Sequence, residues 1–136
     1  MRFGSREWID AMVSALNAQP ELPAALSGLG KDAAVVLEAD PPAWPATVVA
    51  WAEHRAGRIA RWRFLHDEDE LLELEPAYVV RVRYRVLRKL LHGEDPVQAA
   101  LSGRVRVEGD LEALVRKAGY RRVVEAALAV VRTELP

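Results

Sequence analysis

The sequence predicts a mixed fold of the α/β (α+β) class, in which helices pack on a sheet. Five stretches show the alternating or continuous apolar pattern of β-strands, at 33–39, 47–53, 58–65, 77–83 and 104–108. Other segments repeat apolar residues every three or four positions, which is typical of amphipathic helices. Gly, Pro and Asp residues separate the segments, as turns and helix ends require.

Length and composition favour a single domain, 1–136, in the cytoplasm. The chain has 136 residues, a net charge of -1 and no Cys. The absence of Cys removes disulfides, thiolate catalysis and Cys-ligated zinc, and it suits a reducing compartment. The small net charge argues against nucleic acid as a partner. No apolar run approaches the ~20 residues of a membrane span, so we expect at most a transient membrane contact.

Two helices and an antiparallel meander are predicted in the first half. Ser5 is placed to cap a helix that ends near Asn17, and a short second helix at 23–27 ends before Gly28. The first three strands follow with short connections. In the third strand, alternate residues share the apolar face: Ala60, Trp62 and Phe64.

The middle of the chain is less defined. An exposed acidic loop is predicted at 67–70, and the segment 71–75 fits either a short strand or a helical turn. The strand at 77–83 then places Tyr78, Val80 and Val82 on one face. Helical spacing returns at 84–92.

The starts and ends of helices and strands are most clearly marked in the stretch 95–110. Asp95 can cap a helix whose first position is Pro96, and Gly103 ends that helix. Val105 and Val107 then alternate with charged residues as in a half-buried strand, and Asp110 can cap the next helix. A final helix is predicted from about 120 to 133. It is apolar nearly all round, so protein core, ligand or another subunit must cover it.

Motifs of enzymes and metal sites are missing. The sequence contains no Gly-x-Ser-x-Gly elbow, no phosphate-binding Gly-Lys-Ser/Thr loop and no His-Glu-x-x-His pair. Its three histidines, at positions 54, 66 and 92, fall at element ends. We therefore expect no catalytic residues, no metal and no cofactor.

Arginines concentrate on the predicted strands. Six of them alternate with apolar residues: Arg61, Arg63, Arg81, Arg83, Arg104 and Arg106. If these strands share a sheet, its outer face carries an arginine patch. We interpret the patch as solvated cations that pair with Glu38, Glu53 or Glu108, and the alternative is a surface for anionic groups.

The order of parts from 77 to 115 resembles the sterol carrier protein type 2 domain. The resemblance rests on the strand 77–83, the helix that ends at Gly93, the Asp95-Pro96 helix start and the segment Gly103-Arg-Val-Arg-Val-Glu-Gly109. It implies a single, mainly antiparallel, curved five-stranded sheet, covered on one face by about five helices. It also implies an apolar tunnel between the sheet and the helices.

If the resemblance holds, the function is non-enzymatic binding, or intracellular transport, of a fatty acid, acyl thioester, phospholipid or sterol. The alternatives are a solid-cored interaction or homodimerisation domain that uses the last helix, and an accessory domain of a lipid enzyme. The predicted tunnel lining comprises Trp62, Phe64, Val82, Leu101, Val105, Val107, Leu111, Leu114, Val124, Ala127, Leu128 and Val131.

Overall fold

The structure is a computed structural model that describes residues 1–116 and 118–136, without the side chains of 114, 115 and 118. The elements in chain order are α1 (Arg6–Asn17), α2 (Leu22–Leu26), β1 (Asp32–Glu38), β2 (Val48–Arg55), β3 (Arg58–Leu65), α3 (Asp69–Leu74), β4 (Tyr78–Arg83), α4 (Tyr84–Leu91), α5 (Pro96–Leu101), β5 (Val105–Glu108), α6 (Leu111–Arg116) and α7 (Ala118–Val130).

The five strands form one open sheet in the order β3-β2-β1-β4-β5. Strands β1, β2 and β3 pair as the predicted antiparallel meander, and β5 is antiparallel to β4. The central strands β1 and β4 are parallel, so the chain crosses from one edge of the sheet to its middle. The predicted single, mainly antiparallel, five-stranded sheet is therefore confirmed.

Three helices begin directly after the capping residues that the sequence predicts. The Ser5 hydroxyl accepts a bond from the Trp8 amide at 3.1 Å, and Asp95 accepts one from Val97 at 2.9 Å. The Asp110 carboxylate accepts a bond from the Ala113 amide at 3.0 Å. Each cap satisfies an amide that has no partner within its helix.

The undecided segment 71–75 is mostly helical, because α3 covers Asp69–Leu74. This helix lies on one face of the sheet, which we call the arginine face. There Leu71 and Leu74 pack on a buried cluster from four strands: Ala34, Val36, Val49, Trp51, Leu65 and Val79. Helix α3 therefore packs on the face of the sheet opposite to the one that α1 contacts. The long arginine side chains extend around a packed apolar centre, and α3 closes that centre.

Arginines surround this cluster in ion pairs with acidic residues of the sheet and of α3. Arg61 bonds Glu53, Arg81 bonds Glu108 and Glu68, Arg106 bonds Glu38, and Arg63 bonds Glu70. Hydrogen bonds from Arg61 and Arg55 lower the pKa of the Glu53 carboxyl. These contacts favour the interpretation of cross-strand pairing. Arg104, in contrast, precedes β5 and pairs with Glu94, so its predicted place on a strand was wrong.

An ion pair joins the end of β1 to the start of α4. The nearly buried Asp40 carboxylate accepts bonds from Arg85 Nε at 2.8 Å, Arg85 Nη2 at 2.6 Å and the Arg85 amide at 3.1 Å. The Arg85 side-chain hydrogen bond is the main reason that the pKa of Asp40 falls from 3.8 to about 2. In the native state the Asp40 carboxylate therefore stays ionised at acidic pH values at which the same group would be protonated in the unfolded chain.

We expect this pair to make folding stability depend on pH between 4 and 2. Because the native pKa of Asp40 is the lower one, its stabilisation is complete above 3.8 and is lost as the pH falls towards about 2. Urea unfolding of the wild type and of Asp40→Asn at several pH values measures this effect. The variant should be less stable at pH 7 and should lose less stability between pH 4 and 2. If the wild type and the variant lost equal stability between pH 4 and 2, Asp40 would not be the source of this pH dependence.

Candidate ligand-binding face

The opposite face of the sheet, which we call the helix-side face, carries an apolar row that crosses all five strands. Paired residues of an antiparallel or parallel ladder point to the same face, so the register defines the row. In sheet order its members are Phe64, Ala50, Val35, Val80 and Val107. We call these residues the open row. At about 4.8 Å between neighbouring strands, the row is about 19 Å long.

The open row is incompletely covered at its centre. Val35 lies in the middle strand of the sheet, yet 42% of its surface is exposed. Its neighbour Val36, on the arginine face, is 0% exposed. The other four members of the row are half-buried. A central strand of a five-stranded sheet is normally covered on both faces, so the helices leave the surface above Val35 partly uncovered, and we call this uncovered region the hollow.

Hydrogen bonds tie helix α1 to the β3 edge of this face. The Trp62 indole donates a hydrogen bond to Asp10 at 2.7 Å. The Asn17 side chain donates to the Ile59 carbonyl at 3.0 Å and accepts from the Ile59 amide at 2.9 Å. These bonds fix α1 along the outer strand β3.

Helix α7 forms a second layer. Its buried residues Val123 and Ala127, together with Val131 directly after it, pack in two clusters with residues of α1 and α2. Within the described residues, these two clusters include no strand residue. The apolar surface of α7 is thus used partly against other helices, and the space over the centre of the sheet remains open.

One end of the hollow is closed by a well-packed cluster. Leu37 and Val82 of the helix-side face are 6% and 3% exposed, and they pack with Phe3 and Tyr84. Half-buried side chains complete this cluster: Trp8, Trp44, Val86, Leu87, Leu91, Val105 and Leu135. The hollow therefore extends from Val35 away from this end and towards the row that contains Trp62.

The open row is apolar, and among the described residues a charged side chain lies close to its β3 end. The open row consists of Val, Ala and Phe side chains, which offer no hydrogen-bonding group. At the β3 edge, the Arg6 guanidinium lies 5.1 Å from the Trp62 ring centre and 5.5 Å from that of Phe64. This arrangement suits a ligand with an apolar body and tolerates a polar end at the β3 edge.

The described part of the chain contains neither a metal-binding cluster nor a membrane-spanning helix. There, no three His, Asp or Glu side chains gather as a metal-binding group. Among the same residues, every helix is too short or too polar to cross a bilayer.

Comparison with solved structures identifies the architecture. A crystal structure of sterol carrier protein 2 aligns over 94% of this chain and 98% of its own, at 21% identity and a TM-score of 0.74. The chain has the sterol carrier protein 2 fold. A conserved hypothetical protein of Thermus thermophilus, described as a candidate sterol carrier protein, aligns over 94% of this chain and 86% of its own, at 21% identity and a TM-score of 0.67.

A third structure of this fold is the ubiquinone synthesis protein UbiJ-SCP2. It aligns over 87% of this chain and 85% of its own, at 18% identity and a TM-score of 0.56. No family model matches the chain, and no curated protein matches it significantly in sequence. The similarity therefore establishes the sterol carrier protein 2 fold.

The predicted lining residues separate into groups within the sterol carrier protein 2 fold. Five of them lie on the helix-side face: Trp62, Phe64, Val82, Val105 and Val107. Phe64 and Val107 belong to the open row, whereas Val82 and Val105 belong to the closed end. The predicted lining also includes three residues of α7, and Val131 directly after it. Ala127, Val131 and, at its edge, Leu128 pack in the cluster with α1, and Val124 is half-buried.

The three remaining residues are on α5 and α6. Leu101 ends α5 and is 68% exposed, so the structure places it on the surface. Leu111 is half-buried at the start of α6. The side chain of Leu114 lies outside the described part of the chain.

The sequence-based list missed the three central members of the open row. Ala50, Val35 and Val80 belong to β2, β1 and β4, where apolar residues occupy both faces. A signal was present in the run Ala33-Ala-Val-Val-Leu37, since a strand without alternation indicates two covered faces. Which of its residues faces the helix side depends on the register with β4, which the sequence does not reveal.

Proposed function

We propose that this chain binds a lipid-sized apolar molecule between the open row and the helices. The observation that carries the proposal is the 42% exposure of Val35 at the centre of a five-stranded sheet. Filling an apolar hollow of this kind lowers the free energy, because water leaves both the protein and the ligand. Solved structures of the same fold described as sterol carrier proteins support the same class of ligand.

Hydrophobic burial is sufficient for useful affinity. A ligand that buries about a dozen methylene groups at ~0.8 kcal/mol each gains ~10 kcal/mol. Loss of translational and rotational freedom costs about 4 kcal/mol or more, which leaves binding in the micromolar range. No buried charge is required, so fatty acids, acyl thioesters, phospholipids and sterols all remain within the proposed ligand class.

The proposed action is reversible sequestration and does not include chemistry on the ligand. The ligand enters over the partly uncovered centre of the helix-side face, and removal of its apolar part from water holds it there. Such a protein can carry a lipid between membranes or present it to an enzyme. The structural similarity to a ubiquinone synthesis protein favours the second role, as an accessory domain for lipid metabolism.

Native mass spectrometry of the freshly purified protein tests the proposal. We expect a bound mass of lipid size that disappears after extraction with organic solvent. A ligand at about a hundredfold its dissociation constant stabilises the folded protein by roughly 2.7 kcal/mol, so extraction should also lower the thermal midpoint.

A protein that carries no added mass, and takes up none from fatty acids, acyl thioesters, phospholipids or sterols, would overturn the binding proposal. The alternative would then be an interaction domain that uses α7, where Val130 is 72% exposed. The oligomeric state on dilution would test that alternative.

A further inference from the structure

A second concavity lies outside the helix-side face, between α4 and the loop at 40–43. Its volume is about 550 Å³, which is within the range of small-molecule sites. Tyr84 at the start of α4 is 2% exposed and stacks on Trp44, with ring centres 5.4 Å apart. Packed aromatic residues thus support one side of this cavity, which we call the α4 cavity.

The α4 cavity carries an excess of positive charge. Arg85, Arg88 and Lys89 line it, and Asp40 is its one acidic side chain. Three cations and one carboxylate leave a local charge of +2. The whole chain has a net charge of -1, so this charge belongs to the cavity and not to the protein in general.

The charged side chains of the α4 cavity differ in whether they already have a charged partner. Asp40 is engaged by the Arg85 side chain at 2.6 and 2.8 Å, so this carboxylate is already neutralised. Within the described residues, Arg88 and Lys89 form no ion pair. The ring of His92 is oriented by a 2.7 Å hydrogen bond between its Nδ1 and the Arg88 carbonyl. That bond makes Nδ1 the donor, and Nε2 faces away from it.

The α4 cavity is separate from the open row. The apolar side of α4, with Leu87 and Leu91, packs into the cluster that closes the end of the hollow at Leu37 and Val82. A ligand in the α4 cavity therefore lies across a packed wall from a ligand over Val35.

We propose that the α4 cavity binds a phosphate group. A phosphate ester carries about -1.5 to -2 charges at pH 7, which complements the local charge of +2. Guanidinium groups bind phosphate oxygens with two parallel hydrogen bonds, and the Lys89 ammonium adds a flexible third donor. The group can belong to a small soluble compound or to a phospholipid headgroup, because both present the same oxygens. Phosphate binding here is independent of what the open row binds.

Binding of sodium pyrophosphate, measured by isothermal titration calorimetry at low salt, tests the inference. We expect the double variant Arg88→Gln/Lys89→Gln to weaken this binding about tenfold or more, because it removes both cations that have no carboxylate partner among the described residues. The matched control, Lys31→Gln/Arg58→Gln, removes the same charge at exposed positions elsewhere and should leave binding unchanged. Thermal unfolding of both variants verifies that they are folded, since all four side chains are exposed.

Vesicles distinguish the two sources of phosphate. Flotation with phosphatidylglycerol vesicles, compared with phosphatidylcholine vesicles, measures attachment to an anionic headgroup. Pyrophosphate binding that only the α4 double variant weakens supports the proposal with a soluble ligand. Attachment to phosphatidylglycerol that only this variant weakens supports it with a lipid source. Absence of both interactions, or equal effects of the two double variants, would overturn it.

Discussion

Val35→Asp is expected to abolish uptake of an apolar ligand while the protein remains folded. The side chain lies at the centre of the open row and is 42% exposed, so a carboxylate there can stay hydrated in the empty protein. A ligand over Val35 would remove that water and leave a short charged side chain without a partner. Burial of such a charge costs several kcal/mol, which corresponds to a loss of affinity of about a hundredfold or more.

Two substitutions serve as controls for this experiment. Leu72→Asp changes an apolar residue that is 77% exposed on α3, on the arginine-face side, and it should leave ligand binding unchanged. Val36→Asp, one residue from Val35, should unfold the protein because Val36 is 0% exposed in the cluster under α3. The same substitution is thus expected to abolish ligand binding at Val35 and to unfold the protein at the adjacent Val36.

Displacement of a fluorescent long-chain fatty acid measures binding, and urea unfolding measures stability. We expect Val35→Asp to cost about 1 kcal/mol of stability, mainly through the poor strand propensity of Asp. Full binding by a folded Val35→Asp protein would show that the ligand does not cover the centre of the sheet. Unfolding of Val35→Asp would show that the hollow is in fact closed.

Local sequence signals were enough to predict most elements of the fold. Ser5, Asp95 and Asp110 act as caps where their short acceptor side chains precede helical spacing. The alternation in β3 correctly placed Trp62 and Phe64 on one face, because a strand has only two faces to choose from. These features depend on neighbours within a few residues, which a sequence displays directly.

Features that depend on distant contacts were harder to predict. Asp69–Leu74 became a helix over the arginine face because Leu71 and Leu74 complete a cluster drawn from four strands. The open row depends on the parallel register of β1 and β4, which lie 45 positions apart in the pair Val35 and Val80. A shift of one residue would turn Val36 to the helix side, so the apolar composition of β1 alone could not identify Val35.

Asp32→Ala is expected to destabilise the protein by about 3 kcal/mol, because it leaves one buried and one half-buried donor without an acceptor. Asp32 is 2% exposed at the start of β1. One carboxylate oxygen accepts from the Trp51 indole at 2.8 Å, and the other accepts from the Ala77 amide at 2.8 Å. The side chain therefore ties β2 and the approach to β4 to the first residue of β1.

Asp67→Ala is the matched control, since it removes a carboxylate that also serves two donors. Asp67 accepts from the amides of Asp69 and Glu70 at 3.0 and 3.3 Å, but it is exposed. Water can replace it, so the expected loss is about 1 kcal/mol. Urea unfolding of both variants measures the difference. Equal losses would mean that burial of Asp32 contributes nothing beyond its hydrogen bonds.

A double-mutant cycle with Trp51→Phe separates the two donors of Asp32. Phe keeps an aromatic ring in the cluster on the arginine face and removes the indole N–H. In that background Asp32→Ala leaves only the Ala77 amide unsatisfied, so its cost should fall by about 1 to 2 kcal/mol. An unchanged cost would assign the stabilisation to the Ala77 amide alone, and the carboxylate would then act mainly by holding the loop before β4.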